Sequence, residues 1–344
     1  MDKCLCRTTP PMLAADITRI RAETADALGA NARFCAISVQ ECFINRGEAD
    51  TLLQRSFLLS CWVFPRLPPL NNVSSATGFM SQVNLYHIAY SQETLEGVPS
   101  GYSVLNNLNS ERNDWREYWP IRNFLLSEAL DEASYYGFFS PRFQEKTGLS
   151  HAQVTDFVLA AGSETDVVTF CPQPDMGAFF LNIFEQEELF QPGFTAASEA
   201  FLETVGISVQ LGSLVMDSRQ IIFSNYFVAR PKFWRDWLTF NEKLFAVCEG
   251  EESELKNALV QGTIYPGSVQ RKVFLMERMA SLLLTLFPGW KVCAYDTFDC
   301  AWSASRLNQF KLEAVLSDAL KIAMKEQGFH DYQDAFATLR DRLR

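Results

Sequence analysis

Two apolar stretches of this chain carry polar side chains that a packed core excludes unless they are partnered. The first, 221–230, reads Ile-Ile-Phe-Ser-Asn-Tyr-Phe-Val-Ala-Arg and holds Asn225; it runs into Pro231-Lys232-Phe233-Trp234. The second, 273–286, is apolar or small except for Glu277-Arg278, Ser281 and Thr285. An unpaired buried amide costs roughly 1–3 kcal/mol and an unpaired charge costs more. Asn225 and Glu277 therefore need partners, in the protein or on a ligand. Strand alternation puts Phe223, Asn225, Phe227 and Ala229 on one face. The Asn225 amide would then hold a sugar hydroxyl or a neighbouring loop. On a helix, Glu277 shares a stripe with Val273, Phe274, Ala280 and Ser281. A carboxylate there either forms an internal ion pair or, with a raised pKa, serves as a general base.

Two further clusters could meet an anion. The segment 113–122 packs Tyr118 and Arg122 among tryptophans and charges. Its aromatics can stack on a sugar or base and its arginines can clamp a diphosphate, or it is a helix start with a solvated face. Arg142 follows Ser140-Pro141 at a strand end, where open α/β sheets bind ligands. With three histidines, a Ser-His or Cys-His nucleophile needs His87, His151 or His330 at the site. None sits in a recognisable catalytic motif, and each reads as structural. Glycine-rich phosphate loops and zinc-protease motifs are absent from the sequence.

Alternating elements must carry these groups. The pattern predicts helices at 12–30 and 48–63, a boundary at the proline- and asparagine-rich stretch 65–75, and a strand at 83–90. A helix at 115–130, a strand at 135–139 and a helix capped by Ser150 follow. Next come a strand at 166–171, helices at 175–190 and 194–204, and a strand at 220–229. Pro231 opens a helix to about 247. A helix at 269–287, a strand at 290–295 and helices at 304–325 and 331–342 complete the chain. Strands alternating with helices from 82 to 295 predict an α/β sheet with helices on its faces.

Bulk properties narrow the partners. A net charge of -11 opposes binding to nucleic acid or anionic lipid. No stretch reaches the ~20 apolar residues of a membrane span, which leaves peripheral contact with a membrane open. The nine cysteines, mostly in apolar contexts, read as reduced thiols of a cytoplasmic protein. Cys4 and Cys6 form a C-x-C without a second pair at zinc spacing.

In order, four blocks resemble a known family. They are Tyr136-Gly137-Phe138-Phe139-Ser140-Pro141-Arg142, Asp166-Val167-Val168, the Asn225 block running into Phe233-Trp234, and Phe274-Leu275-Met276-Glu277-Arg278-Met279-Ala280. This arrangement resembles the glycosyltransferase-like proteins of bacterial exopolysaccharide and O-antigen clusters, over roughly residues 82–295. The resemblance implies a GT-A-like mixed sheet flanked by helices, with extra helices at both termini. The pattern along the chain divides it into an N-terminal helical region (1–70), the α/β domain (80–303) and C-terminal helices packing on it (304–344), the flanking helical regions lying outside the resemblance. The resemblance implies a nucleotide-sugar donor and a glycan or lipid-linked acceptor, in surface-polysaccharide assembly. Glu277 would be the base or a sugar-binding carboxylate, Arg142 and Arg278 would meet the diphosphate, and Asn225 a sugar hydroxyl. Tyr118 and Arg122 would contact substrate. GT-A enzymes commonly hold a divalent metal (Mn or Mg) with Asp-x-Asp after a strand, and this chain has none there. Glu164-Thr165-Asp166 precedes its strand, and Asp296-Thr297-Phe298-Asp299 has the wrong spacing. The departure leaves two alternatives beside the enzyme: a non-catalytic binding or scaffold relative in the same pathway, or a different α/β enzyme acting on a phosphorylated metabolite.

Overall fold

A computed structural model describes residues 82–343 apart from Pro266 and Ser268. The helices expected at 12–30 and 48–63, the boundary at 65–75, the region 1–70 and the C-x-C lie outside the described residues. Ser75–Arg344 is one compact unit, which includes the C-terminal helices.

The described strands are β1 (Val83–Ala89), β2 (Ser103–Asn106), β3 (Tyr135–Phe139), β4 (Val167–Thr169), β5 (Phe227–Ala229) and β6 (Val292–Ala294). They form one mixed sheet in the order β2-β1-β3-β5-β4-β6. β5 runs antiparallel to β3 and β4, and the remaining pairings are parallel. The described helices are α1 (Gln92–Glu96), α2 (Tyr118–Ser127), α3 (Phe143–Thr147), α4 (His151–Ala160), α5 (Pro174–Ala178) and α6 (Ile183–Phe190). They continue with α7 (Phe194–Thr204), α8 (Pro231–Glu249), α9 (Glu254–Val260), α10 (Arg271–Leu286), α11 (Lys311–Gln327) and α12 (His330–Asp341). The expected α/β class, a mixed sheet with flanking helices, is thus present. None of the described helices is long and apolar enough to cross a membrane.

Helices cover both faces of the sheet, so its central strands are buried throughout. Side-chain alternation sorts them between two cores. Tyr136 and Phe138 of β3, Val167 of β4 and Phe227 and Ala229 of β5 pack with Trp234, Trp237, Met276 and Met279 of α8 and α10. Tyr135, Phe139, Val168 and Val228 point the other way, onto Phe143 of α3 and Val154 and Val158 of α4. Gly137 interrupts the aromatics of β3 for a steric reason. A Cβ there would lie 2.8 Å from Val228 Cγ2 and 3.1 Å from Leu85 Cδ2. The C-terminal helices dock through a third cluster, where Ala314 and Leu343 meet Ala178, Phe179 and Phe180. Buried Lys321 donates from α11 to the carbonyls of Gly177 and Phe180, at 2.9 and 3.1 Å.

Several elements differ from expectation for local reasons. The single helix expected at 175–190 is two, because Asn182 starts a new one: its Oδ1 accepts from the N–H groups of Phe184 and Glu185, each at 2.9 Å. The strand expected at 220–229 is confined to Phe227–Ala229. Ser224 and Asn225 have φ of 57° and 54°, and two successive left-handed residues end the extended alternation. β2 and α9 were not expected, although Ser253 caps α9, accepting from Lys256 N at 3.1 Å. Ser150 caps α4 as expected, in a capping box with Gln153.

Candidate functional site

β1 leads outward to β2, and the chain then crosses back to place β3 on the other side of β1. Such a reversal leaves a crevice beyond the carboxyl ends of β1 and β3. The sequence fills it from both helical layers. Ser140, Pro141 and Arg142 come directly off β3, and Lys146 stands one turn further along α3. Val273, Phe274, Glu277 and Arg278 descend from α10 on the opposite face. Ser224 comes from the turn before antiparallel β5.

Two adjoining cavities occupy the crevice. The first, about 490 Å³, is lined by Tyr90, Thr94, Arg116, Glu117, Ser140, Pro141, Val269 and Val273. The second, about 370 Å³, is lined by Gln173, Met176, Gln186, Glu187, Phe190, Gln191, Phe223, Ile264 and Arg278. They share Arg142, Lys146, Ser224, Tyr265, Phe274 and Glu277. Charged side chains line both, Arg142, Lys146 and Glu277 being shared; the first adds Arg116 and Glu117, and the second adds Glu187 and Arg278 together with the amides of Gln173, Gln186 and Gln191 and the rings of Phe190 and Phe223.

Glu277 stands at the junction. It keeps some surface toward the groove, yet protein surrounds it closely. Burial pushes its pKa up to about 8, and the facing Glu117 carboxylate adds to the rise against the pull of Arg278 and Lys146. Among the described residues, no hydrogen bond or ion pair within 4.0 Å holds its carboxylate. Lys146 is its counterpart. Burial pushes the ammonium's pKa down, with Glu277 the main opposing influence. Its Nζ donates to Ser224 Oγ at 3.1 Å and lies 5.5 Å from the centre of the Tyr226 ring. No carboxylate pairs with it among the described residues. A carboxylate and an ammonium thus face one groove, each acting on the other's charge but neither in an ion pair within 4.0 Å among the described residues.

The backbone there is unusual too. The non-glycine residues with positive φ among those described are Arg116, Gln173, Ser224 and Asn225. The first three line the groove and the fourth lies directly beneath it. Such conformations cost on the order of 1–3 kcal/mol each and collect at functional sites.

The structure sorts the expected site residues. Glu277 and Arg142 line the groove together. Arg142 is exposed and held by Glu145, with contacts of 2.7 and 3.0 Å. Arg278 reaches the wall, but its donors are already engaged. They serve Ile183 O at 3.2 Å, Phe274 O at 2.9 Å, Gln186 Oε1 at 3.2 Å and the Glu187 carboxylate. It braces Glu187 and has no free fork for a diphosphate. Asn225 is buried under the groove rather than lining it, with its Nδ2 3.4 Å from Met276 Sδ. The expected alternation fails there because of the left-handed turn. Tyr118 and Arg122 sit elsewhere, between α2 and α8. The Tyr118 hydroxyl donates to Glu242, Arg122 pairs with Glu242 at 2.5 and 2.8 Å, and the guanidinium lies over the Phe245 ring.

Lys146, Glu117 and Gln191 were missed. Arg142 and Lys146 stand i,i+4 after a strand end, which is a usable signal. Glu117 and Gln191 carry none, because distant segments create their surroundings. The histidines line neither cavity: His87 is buried in β1, and His151 packs against the Tyr102 ring, 5.0 Å between centroids. Asp166 accepts from Lys291 N at 2.9 Å and Glu164 pairs with Lys291 at 2.8 Å, at the opposite strand ends from the groove. Asp296 caps the short turn after β6. Among the described residues no group of three or more His, Cys, Asp or Glu converges as a metal site. No family model, no curated protein and no solved structure matches this chain.

Proposed function

We propose that the groove is the active centre of a glycosyltransferase, with a nucleotide-sugar donor in the cavity that Arg116 lines and a glycan acceptor, free or lipid-linked, in the amide-lined one. The observation that carries this reading is the position of Glu277, an unpaired carboxylate with a raised pKa in the wall shared by two cavities. Transfer needs two ligands to meet at a base, whereas a single cavity would suffice for hydrolysis. Glu277 takes the proton of the acceptor hydroxyl as its oxygen bonds to the anomeric carbon. The bond from that carbon to the diphosphate breaks, and the leaving group departs with the electron pair. Lys146 and Arg142, at the same junction, neutralise its growing charge, with Arg116 further out. Surface-polysaccharide assembly is the process this reading favours. The free thiols Cys171, Cys248, Cys293 and Cys300 fit a cytoplasmic location.

A thermal-shift screen against nucleotide sugars and pyrophosphate, with and without Mn²⁺, tests the reading. A ligand at 100 times its Kd stabilises by about 2.7 kcal/mol. Lys146→Met is expected to weaken diphosphate binding by roughly 10- to 100-fold, the range for one hydrogen bond to a charged group. Absence of a shift with every nucleotide sugar and with pyrophosphate would refute the proposal. Binding without turnover would leave a sugar-nucleotide-binding protein.

A further inference from the structure

The wall between the two cavities carries an aromatic residue that the protein leaves open. Ahead of α10 the chain doubles back on itself. Arg271 N donates to Gln261 O at 3.1 Å and Thr263 N to Val269 O at 2.9 Å, around a bridge between Gly262 and Gln270. Tyr265 stands on this turn, 57% exposed, and lines both cavities. Its place is fixed from several sides. Tyr265 N donates to Thr263 Oγ1 at 3.2 Å, and Arg116 Nη2 donates to Gly267 O at 2.7 Å. The ring meets that of Phe274 edge to face, with 5.6 Å between centroids and 70° between planes. Phe274 precedes Glu277 by one turn of α10, and the Cβ atoms of such neighbours lie about 5–6 Å apart. The Tyr265 ring is thus braced close to the Glu277 carboxylate.

A tyrosine kept for stability would bury its ring, whereas more than half of this one stays open. An open aromatic ring offers apolar surface to the flat side of another ring, and that contact does not depend on the charges around it. Which part of a ligand it meets follows from its neighbour. In a transfer reaction the anomeric carbon comes to the base, so the ring beside Glu277 is the sugar about to move. The nucleobase stands beyond the diphosphate and the ribose, too far along the donor to share this wall. We propose that the Tyr265 ring is the platform on which the donor's sugar stacks, a substrate-contacting residue that holds the sugar beside Glu277. The proposal rests on the reading of the groove as a sugar-transfer site and adds a residue that positions its donor.

The test uses the full chain and calorimetric titration. The probes are UDP-glucose, UDP-N-acetylglucosamine and GDP-mannose, each beside its nucleoside diphosphate, with pyrophosphate as the ligand without a ring. Tyr265→Ala should weaken the nucleotide sugar that binds by about three- to tenfold, the range for one aromatic contact. Its affinity for the nucleoside diphosphate and for pyrophosphate should stay within about twofold of wild type. Tyr265→Phe should restore most of the lost affinity, and Tyr265→Leu, apolar but without a ring, should not. Circular dichroism and the melting profile of each variant should stay those of a folded protein, because the residue is exposed. Should Tyr265→Ala not fold, Tyr265→Leu replaces it, and saturation transfer from aromatic protons to the donor's sugar protons in the wild-type protein still decides. Unchanged nucleotide-sugar affinity in a folded Tyr265→Ala protein, an equal loss for the nucleoside diphosphate, a Tyr265→Phe variant as weak as Tyr265→Ala, or no saturation transfer to the sugar would each overturn the proposal and leave the transferase reading standing. Failure of every nucleotide sugar to bind would overturn both.

Discussion

Arg278→Met separates a bracing arginine from a ligand-binding one. The Arg278 and Glu187 side chains are 5% and 6% exposed, so neither regains water when the other is removed. The variant leaves Glu187 buried without its cation and strips a donor from Gln186 and from the carbonyls of Ile183 and Phe274. Removing one partner of a buried pair costs about 3–5 kcal/mol. At about 2–4 °C per kcal/mol for a chain of this size, the melting temperature should fall by roughly 10 °C. Arg278→Lys should fall between, because an ammonium cannot reach several acceptors as the planar fork does. Adding Glu187→Met to Arg278→Met should recover much of the loss, since the uncompensated charge is gone. Urea denaturation and scanning calorimetry measure all four proteins. A destabilisation under about 1 kcal/mol, joined to lost pyrophosphate binding, would refute the bracing role and restore Arg278 as a diphosphate ligand.

Two other substitutions probe the site and the sheet. Glu277 has a folded pKa above its unfolded value, so its contribution to stability is full below about pH 4.5 and is lost as the pH climbs to about 8. Glu277→Gln should therefore gain in melting temperature over the wild type between pH 5 and pH 8, while abolishing transfer; parallel melting curves across that range would show the carboxylate to be unperturbed. Gly137→Ala drives a methyl group into Val228 and Leu85 at the centre of the sheet, and should destabilise by about 1–3 kcal/mol in chemical denaturation; a neutral result would mean that β3 and β5 can separate freely.

Much of the fold was legible because its signals are local. Alternation and length marked β1 and β3, Ser150 announced α4, and Pro231 announced α8. The errors lie where a single residue acts through geometry. Asn182 splits one apolar run into two helices by capping, and Ser224-Asn225 turns an apparent strand through the left-handed region. Within the site, Glu277 was legible as a carboxylate on an apolar helix stripe, and Arg142 as a cation at a strand end. Tyr118 and Arg122 misled because an aromatic, charged segment looks alike whether it faces a ligand or, as here, binds Glu242 and Phe245.

By itself the sequence determined the α/β class, the sheet with helices on both faces, and the demand that Glu277 find a partner or a function. Tertiary structure decided which demands were met within the protein. Glu187, 91 positions away, meets the need of Arg278, whereas no described residue forms an ion pair within 4.0 Å with Glu277 or Lys146. The physical reason is that burial is a property of surroundings. A residue's type sets what it costs to bury, but the strands and helices brought against it decide whether the compensating charge or hydrogen bond is there.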